Sequence, residues 1–222
     1  MLLSSPPRPG EGERLISRFG AAFPGASHIA IGVDGATARP DALAELVALG
    51  LRIDVTAVLT AARLTPPARE APDAVLRRLE SDSDWRAAID LNVAADDEPD
   101  DSASHREYLE RRTAAIRSVC EAGHGAWFGA FRGDEMCSGL GIFRAGSGLA
   151  RFQAVDTHPA HRRQGLASHL LFAAGRHALS RLGASTLVIV ADPGYHAIDI
   201  YRSLGFRERE RHMQLERVHT QS

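Results

Sequence analysis

Val155-Asp156-Thr157-His158-Pro159-Ala160-His161-Arg162-Arg163-Gln164-Gly165-Leu166-Ala167 is the stretch around which the chain is organised. Upstream of it, Ala150 to Val155 reads as a short extended run, bounded by Ala145-Gly146-Ser147-Gly148. Downstream, Leu166, Leu170, Leu171, Ala174 and Ala178 recur at helical spacing, which predicts a helix over Gln164 to Leu182. Pro159 fixes φ and biases His158 away from the helical region, so a turn separates the two elements. The order is therefore strand, basic turn, helix N-terminus. Such a terminus offers unpaired backbone N–H groups and partial positive charge, which suits phosphate. Gly165 and Ala167 keep the first turn bare, and Arg162 and Arg163 add charge beside it.

Arg162, Gly165 and Ala167 in that turn, and Tyr201, Leu204, Gly205 and Phe206 downstream, make two motifs that are similar in order and spacing to those of the GNAT superfamily of N-acetyltransferases. Its acetyl-CoA-binding pattern, Gln/Arg-x-x-Gly-x-Gly/Ala, is met by Arg162, Gly165 and Ala167. Its Tyr-x-x-Leu-Gly-Phe signature is met by Tyr201, Leu204, Gly205 and Phe206. The resemblance covers residues from about 74 to the end. It implies an α/β (α+β) fold with a mixed central sheet flanked by helices, and acetyl-CoA as cosubstrate. Backbone groups of Val155, Asp156 and Thr157 would pair with the pantetheine, and those from Arg163 through Gln164, Gly165, Leu166 and Ala167 to Ser168 would receive the pyrophosphate.

The implied reaction is attack of a neutral amine on the thioester. Tyr201 matches the family tyrosine that protonates the departing thiolate, a task a phenol of pKa about 10 suits; otherwise it is a half-buried aromatic whose hydroxyl finds a partner. The pattern departs at the general base, because the positions where relatives carry Glu or His hold Arg151 and Gln153, neither a base at neutral pH. Family members without that residue often use a water chain or take an amine already partly neutral; Glu121, His124 and Asp156 are candidate substitutes, each with a structural alternative. The family's frequent Asn, seven residues before the tyrosine, is Gly194, with Tyr195 and His196 beside it.

The 222 residues permit one sizeable domain or a domain with an appendage. Hydrophobic content of 44% and charged content of 24% are those of a soluble globular chain. A net charge of -2 argues against general nucleic-acid binding. Cys120 and Cys137 have no paired spacing, which fits a reducing cytoplasm. The apolar start at Met1-Leu2-Leu3 is too short for a signal-peptide core, and no run approaches the roughly 20 apolar residues of a membrane helix. His161, His169 and His177 lie eight apart, away from the i, i+4 ligand spacing, and His158 and His161 have no accompanying Cys, so no metal site is expected. A dinucleotide site is disfavoured because no Gly-x-Gly-x-x-Gly follows a strand.

Met1 to Gly12, with three prolines, reads as a flexible lead-in. Residues 1–65 then give a helix at Arg14 to Phe23, a strand at His28 to Val33, a turn at Asp34-Gly35, a helix over Asp41 to Leu49 capped by Gly50, and a strand at Arg52 to Arg63. This order parallels the chain's own end and is similar to a partial, degenerate GNAT repeat; the bland alternative is that strand-helix-Leu-Gly-strand is common. Residues 66–73 are a proline-rich linker. Residues 74–222 form the N-acetyltransferase domain of the resemblance: a strand at Ala74 to Glu80, a helix capped within Ser81-Asp82-Ser83-Asp84, and a helix over Ser104 to Glu121 with Tyr108, Leu109, Ala115, Ile116 and Val119 as its buried face. Between the helices, Asp96 to Asp101 is either a solvated connector or a lip for a cationic amine. Three meandering strands follow before the basic turn, and Thr186 to Ala191, a helix ending near Leu204, and Phe206 to Val218 after it. The acceptor amine is not specified by these residues. The family often dimerises, which leaves a homodimer open. The rival reading is a catalytically silent acyl-CoA-binding protein, motivated by the missing base and Asn.

Overall fold

The computed structural model describes residues 1–26, 28–33, 40–70, 72–96 and 103–218. In chain order the first elements are β1 (Leu2–Leu3), α1 (Gly12–Ala22), β2 (His28–Val33), a 3-10 turn (Pro40–Leu43), α2 (Ala44–Ala48) and β3 (Arg52–Ala61). Then come β4 (Val75–Arg78), α3 (Asp82–Ala95), α4 (Ala103–Glu121), β5 (Gly125–Arg132), β6 (Glu135–Arg144) and β7 (Leu149–Thr157). A second 3-10 turn (Pro159–His161), α5 (Leu166–Arg181), β8 (Thr186–Ala191), α6 (Ala197–Ser203) and β9 (Arg207–Val218) complete it. From Val75 onward this is the β-α-α-β-β-β-α-β-α-β order expected from the sequence. No helix among the described residues is long and apolar enough to cross a membrane. The Asp34-Gly35 turn and most of the acidic stretch after Asp96 lie outside the described residues.

The backbone divides into two compact units: Met1–Val58 with Val190–Ile198 and Glu208–Ser222, and Leu59–Ile189 with Asp199–Arg207. In the first, β2 and β9 pair antiparallel from His28↔Val218 to Val33↔Met213. Ile31, Val33, Leu43, Leu46 and Leu215 share its core with Leu15 and Phe19 of α1. α1 has no capping side chain at Glu11; instead the Glu45 carboxylate accepts from the N–H groups of Gly10 (2.8 Å) and Gly12 (3.0 Å). The expected flexible lead-in is corrected at its start. Leu2–Leu3 pairs parallel with Gly32–Val33, the Met1 ammonium donates to the Ala30 carbonyl at 2.8 Å, and Leu3 enters the core. Two strand residues and one buried leucine suffice to anchor a terminus whose prolines come later.

In the second unit the strands lie in the order β8-β7-β6-β5-β4. β4 to β7 are antiparallel neighbours, and β7 and β8 are parallel. The β5–β6 hairpin closes through Gly133-Asp134, with Arg132 opposite Glu135 and Gly133 at φ +58°, the sign a primed turn needs. α5 buries Leu166, Leu170, Leu171, Ala174 and Ala178 as their spacing predicts, but starts at Leu166 rather than Gln164. α4 departs from its predicted face. Tyr108 and Val119 are exposed, as is Ala115, and the inward line is Leu109, Thr113, Ile116 and Cys120. Those four recur at helical spacing, and the threonine hid the stripe from a count of apolar residues.

Gly175 of α5 lies against the sheet without room for a side chain: a Cβ there would stand 2.4 Å from Leu64 Cδ1 and 2.9 Å from Leu187 Cδ1. Gly175→Val should therefore lower folding stability by about 2–3 kcal/mol through overpacking, read as a lower urea midpoint at unchanged slope. An unchanged midpoint would show that the helix shifts freely on the sheet.

Candidate functional site

A β-bulge decides which way β7 presents its last residues. Gly141 pairs with Gln153 but Gly139 pairs with Asp156, so Ala154 and Val155 together oppose Leu140. Ala154 takes φ +48°, unusual for a residue with a Cβ. The extra residue inverts the alternation beyond it. Before the bulge, Phe152 is buried and packs edge-on against Phe206 at 5.9 Å. In the bulge, Ala154 packs against the core cluster that holds Trp85 and Trp127, and beyond it Asp156 lines a cavity under α3 and α4. The parallel pairing with β8 covers only Leu149↔Thr186 to Arg151↔Val188. The end of β7 thus runs past it.

The basic turn follows. Here Arg163 (φ +64°) and Gly165 (φ +83°) are both left-handed. No acceptor among the described residues takes the backbone N–H of Arg163, Gln164, Gly165, Leu166, Ala167 or Ser168. Six unspent donors thus stand at the start of a 16-residue helix, an arrangement that can cradle an anion. Three side chains at the turn are otherwise engaged. Leu166 is in the core, Ser168 Oγ donates to the Gly165 carbonyl at 2.8 Å, and Arg162 Nε donates to the Thr157 carbonyl at 3.3 Å. Thr157 Oγ1 shares a 2.9 Å hydrogen bond with Ser138 Oγ, which also bonds the Asp156 carbonyl at 2.7 Å.

Two arginines that sequence reasoning passed over hold this turn. Arg132 Nη2 donates to Gln164 Oε1 (2.8 Å), its Nη1 meets His161 Nδ1 (3.1 Å), and its Nε donates to the Asp73 carbonyl (2.9 Å). Arg69 Nη1 donates to the Arg163 carbonyl at 2.9 Å. Both tethers reach residues of the proline-rich stretch. Only their position in space marks them, since 94 residues separate Arg69 from Arg163.

Glu135, His158 and His161 also converge here, with one potential ligand atom each inside 4.8 Å. Their protons oppose a cation. A guanidinium only donates, so His161 Nδ1 accepts from Arg132 and its hydrogen sits on Nε2, facing Glu135 Oε1 at 2.9 Å. His158 Nδ1 accepts from the Ala160 N–H. The group therefore reads as a brace for the turn.

Tyr201 is buried in α6, between Ile198 and Leu204. Of the proposed bases, Glu121 is exposed and bound to Arg117 Nε at 2.8 Å, and His124 is exposed. Asp156 is half-buried in the cavity, and burial raises its carboxyl above the ordinary range against the opposing effects of Asn92 and Arg112. Asn92 Nδ2 donates to Asp156 Oδ2 at 3.4 Å. Burial also pushes the Cys120 thiol up to about 11, which leaves it protonated and inert at neutral pH. The Gly194 N–H donates to Asp192 Oδ1 at 2.7 Å, and the Tyr195 and His196 rings beside it are tilted at 48° with centroids 4.2 Å apart.

The pattern of the Acetyltransferase (GNAT) family matches residues 85–206. The chain belongs to this family. Solved GNAT structures share its fold at low identity. A GCN5-related N-acetyltransferase from Kribbella flavida is 18% identical with a TM-score of 0.60, over 92% of this chain and 72% of that one. A tandem GNAT protein from the clavulanic acid biosynthesis pathway is 16% identical with a TM-score of 0.63, over 97% and 72%. A functionally unknown conserved protein from Staphylococcus epidermidis reaches 0.70 at 13% identity, over 98% and 83%. No curated protein matches the chain. The cavity, the cradle and Tyr201 all fall within the matched GNAT residues.

Proposed function

We propose that this GNAT chain transfers an acetyl group from acetyl-CoA to a primary amine of a small molecule, peptide or protein by direct attack. The observation that carries the reading is the cradle of six unspent N–H donors directly after a strand whose end runs past its neighbour. A pyrophosphate is the ligand such a cradle fits, from Arg163 to Ser168, with Arg162 and Arg163 beside it. The extended backbone of Val155, Asp156 and Thr157 suits a pantetheine amide as an added strand. The amine nitrogen bonds to the acetyl carbonyl carbon, the carbon–sulfur bond breaks, Tyr201 supplies the sulfur's proton, and the proton lost by the nitrogen restores the phenol through solvent. The net charge of -2 favours a small-molecule, peptide or protein acceptor over nucleic acid, and the reading places the chain in the cytoplasm, alone or as a homodimer. The first 65 residues serve as a degenerate GNAT half-repeat that packs rather than binds, a reading supported by the likeness to a tandem GNAT protein across 97% of the chain.

Tyr201→Phe tests the chemical step. Turnover, followed as thiol release over an amine panel, should fall about 100-fold, with acetyl-CoA affinity held within twofold. Equal turnover would remove Tyr201 from the mechanism. A wild-type protein that binds acetyl-CoA yet acetylates no amine would establish the silent binding role instead.

A further inference from the structure

The cavity under α3 and α4 carries more information than its place. Its walls are apolar at Trp85, Leu91 and Ile116, and four polar residues also line it: Asn92, Arg112, Thr113 and Asp156. Arg112 and Asp156 are close enough to influence one another electrostatically, yet Arg112 makes no ion pair among the described residues. A cation and an anion therefore share one small cavity without neutralising each other. Trp127 adds a third signal. It is nine-tenths buried and its Nε1–H has no acceptor. That nitrogen lies over Gly139, 3.5 Å from where a Cβ would be, and Gly139 is the cross-strand partner of Asp156. A buried indole N–H without an acceptor is costly and asks for one from outside the protein.

We propose that the acceptor is a free amino acid, its ammonium on Asp156, its carboxylate on Arg112 and the Trp127 N–H, with Asp156 serving as the base. This rests on the acetyltransferase reading above. Asp156 stands between Val155 and Thr157, the residues assigned to the pantetheine, so an amine held on it is beside the thioester. The ammonium gives one proton to the Asp156 carboxylate, and the freed lone pair forms the nitrogen–carbon bond as the carbon–sulfur bond breaks. The sulfur takes a proton from Tyr201, and the second proton leaving the nitrogen restores the phenol through solvent. Asp156 then releases its proton, so ammonium and thioester give amide, thiol and one proton. Burial raises the Asp156 carboxyl, which brings it closer to neutrality as a base requires. A carboxylate that burial holds above its ordinary range costs the fold stability once ionised, so it serves the ligand rather than the core.

The test is thiol release by the full-length chain with the twenty standard amino acids, their amides and the corresponding decarboxylated amines. Acetyl-CoA affinity is measured separately by calorimetry. At least one amino acid should be preferred over its amide and its amine by 10-fold or more in kcat/KM. Arg112→Met should raise KM for that amino acid 10-fold or more and leave the matching amine within twofold. Asp156→Asn should lower kcat/KM 100-fold for both, keep acetyl-CoA affinity, and raise the melting temperature at pH 7, whereas loss of a merely structural aspartate would lower it. Equal use of amino acids and amines, or an Arg112→Met effect blind to the carboxylate, would overturn the proposal and leave the acetyltransferase reading intact. Absence of acetyl-CoA binding to the wild-type chain would overturn both.

Discussion

Asp84→Ala is expected to remove about 3 kcal/mol of folding stability, the loss typical of breaking a buried ion pair. Asp84 is among the few charged residues in the interior. Arg77 grips it through Nη1 and Nη2, both at 2.7 Å, and the N–H groups of Glu80 and Ser81 donate to its Oδ2 at 3.0 and 3.1 Å. Ser81 Oγ in turn accepts from the Asp84 N–H, which completes the capping box of α3. Removing the carboxylate strands a guanidinium, two backbone donors and a helix start together. Arg77 is 42% exposed and recovers some hydration, which holds the loss to this figure rather than more.

The same residue sets a pH dependence. The hydrogen-bonded Arg77 guanidinium, aided by the backbone donors and opposed by burial, holds the Asp84 carboxyl well below the usual carboxylate range. A depressed folded pKa gives stability that is present above the unfolded value of about 4 and is lost as pH falls through the folded one. The gap between the urea midpoints of the wild type and Asp84→Ala should thus be widest at neutral pH, begin to narrow below about pH 4 and go on narrowing toward the folded pKa. A constant gap across that range would mean that the effect is packing alone.

The second large effect concerns the cradle. Ala167→Glu should weaken acetyl-CoA binding at least 100-fold, about 2.7 kcal/mol, because it brings a negative side chain to the donors a pyrophosphate would use. Gly165→Glu should do the same with an added loss of stability of about 1–2 kcal/mol, since Gly165 is left-handed at φ +83°. A Gly165→Ala control isolates that strain, because space around the position is open, with the nearest atom at 3.7 Å. Its affinity should stay close to the wild type. If Ala167→Glu binds acetyl-CoA as well as the wild type while remaining folded, the pyrophosphate lies elsewhere.

Local rules carried much of this architecture. Ser81 with Asp84 announced the start of α3, Gly133-Asp134 the hairpin, and Leu166 to Ala178 the buried face of α5. The strand-turn-helix and Leu204-Gly205-Phe206 were enough to place the chain among GNAT proteins before any coordinates. Features that depend on distant partners were hidden. A bulge at Ala154 and Val155 leaves no mark in composition, because neither residue is a glycine, yet it turns Asp156 toward α3 and α4. Arg132 and Arg69 look like ordinary surface charges until the turn they hold is in place. The face of α4 was misread because Thr113 and Cys120 take positions where larger apolar residues were expected. Nothing in the sequence singles out Trp127, and only the missing acceptor on its indole nitrogen distinguishes it.

The most direct test of the central claim is calorimetric titration of the full-length chain with acetyl-CoA, alongside an acetyl-pantetheine that lacks the pyrophosphate. Micromolar binding of acetyl-CoA, weakened at least 100-fold in the truncated thioester, is the predicted result. Equal affinity for the two, or no binding of either to folded protein, would contradict the assignment of Arg163 to Ser168 as the pyrophosphate cradle.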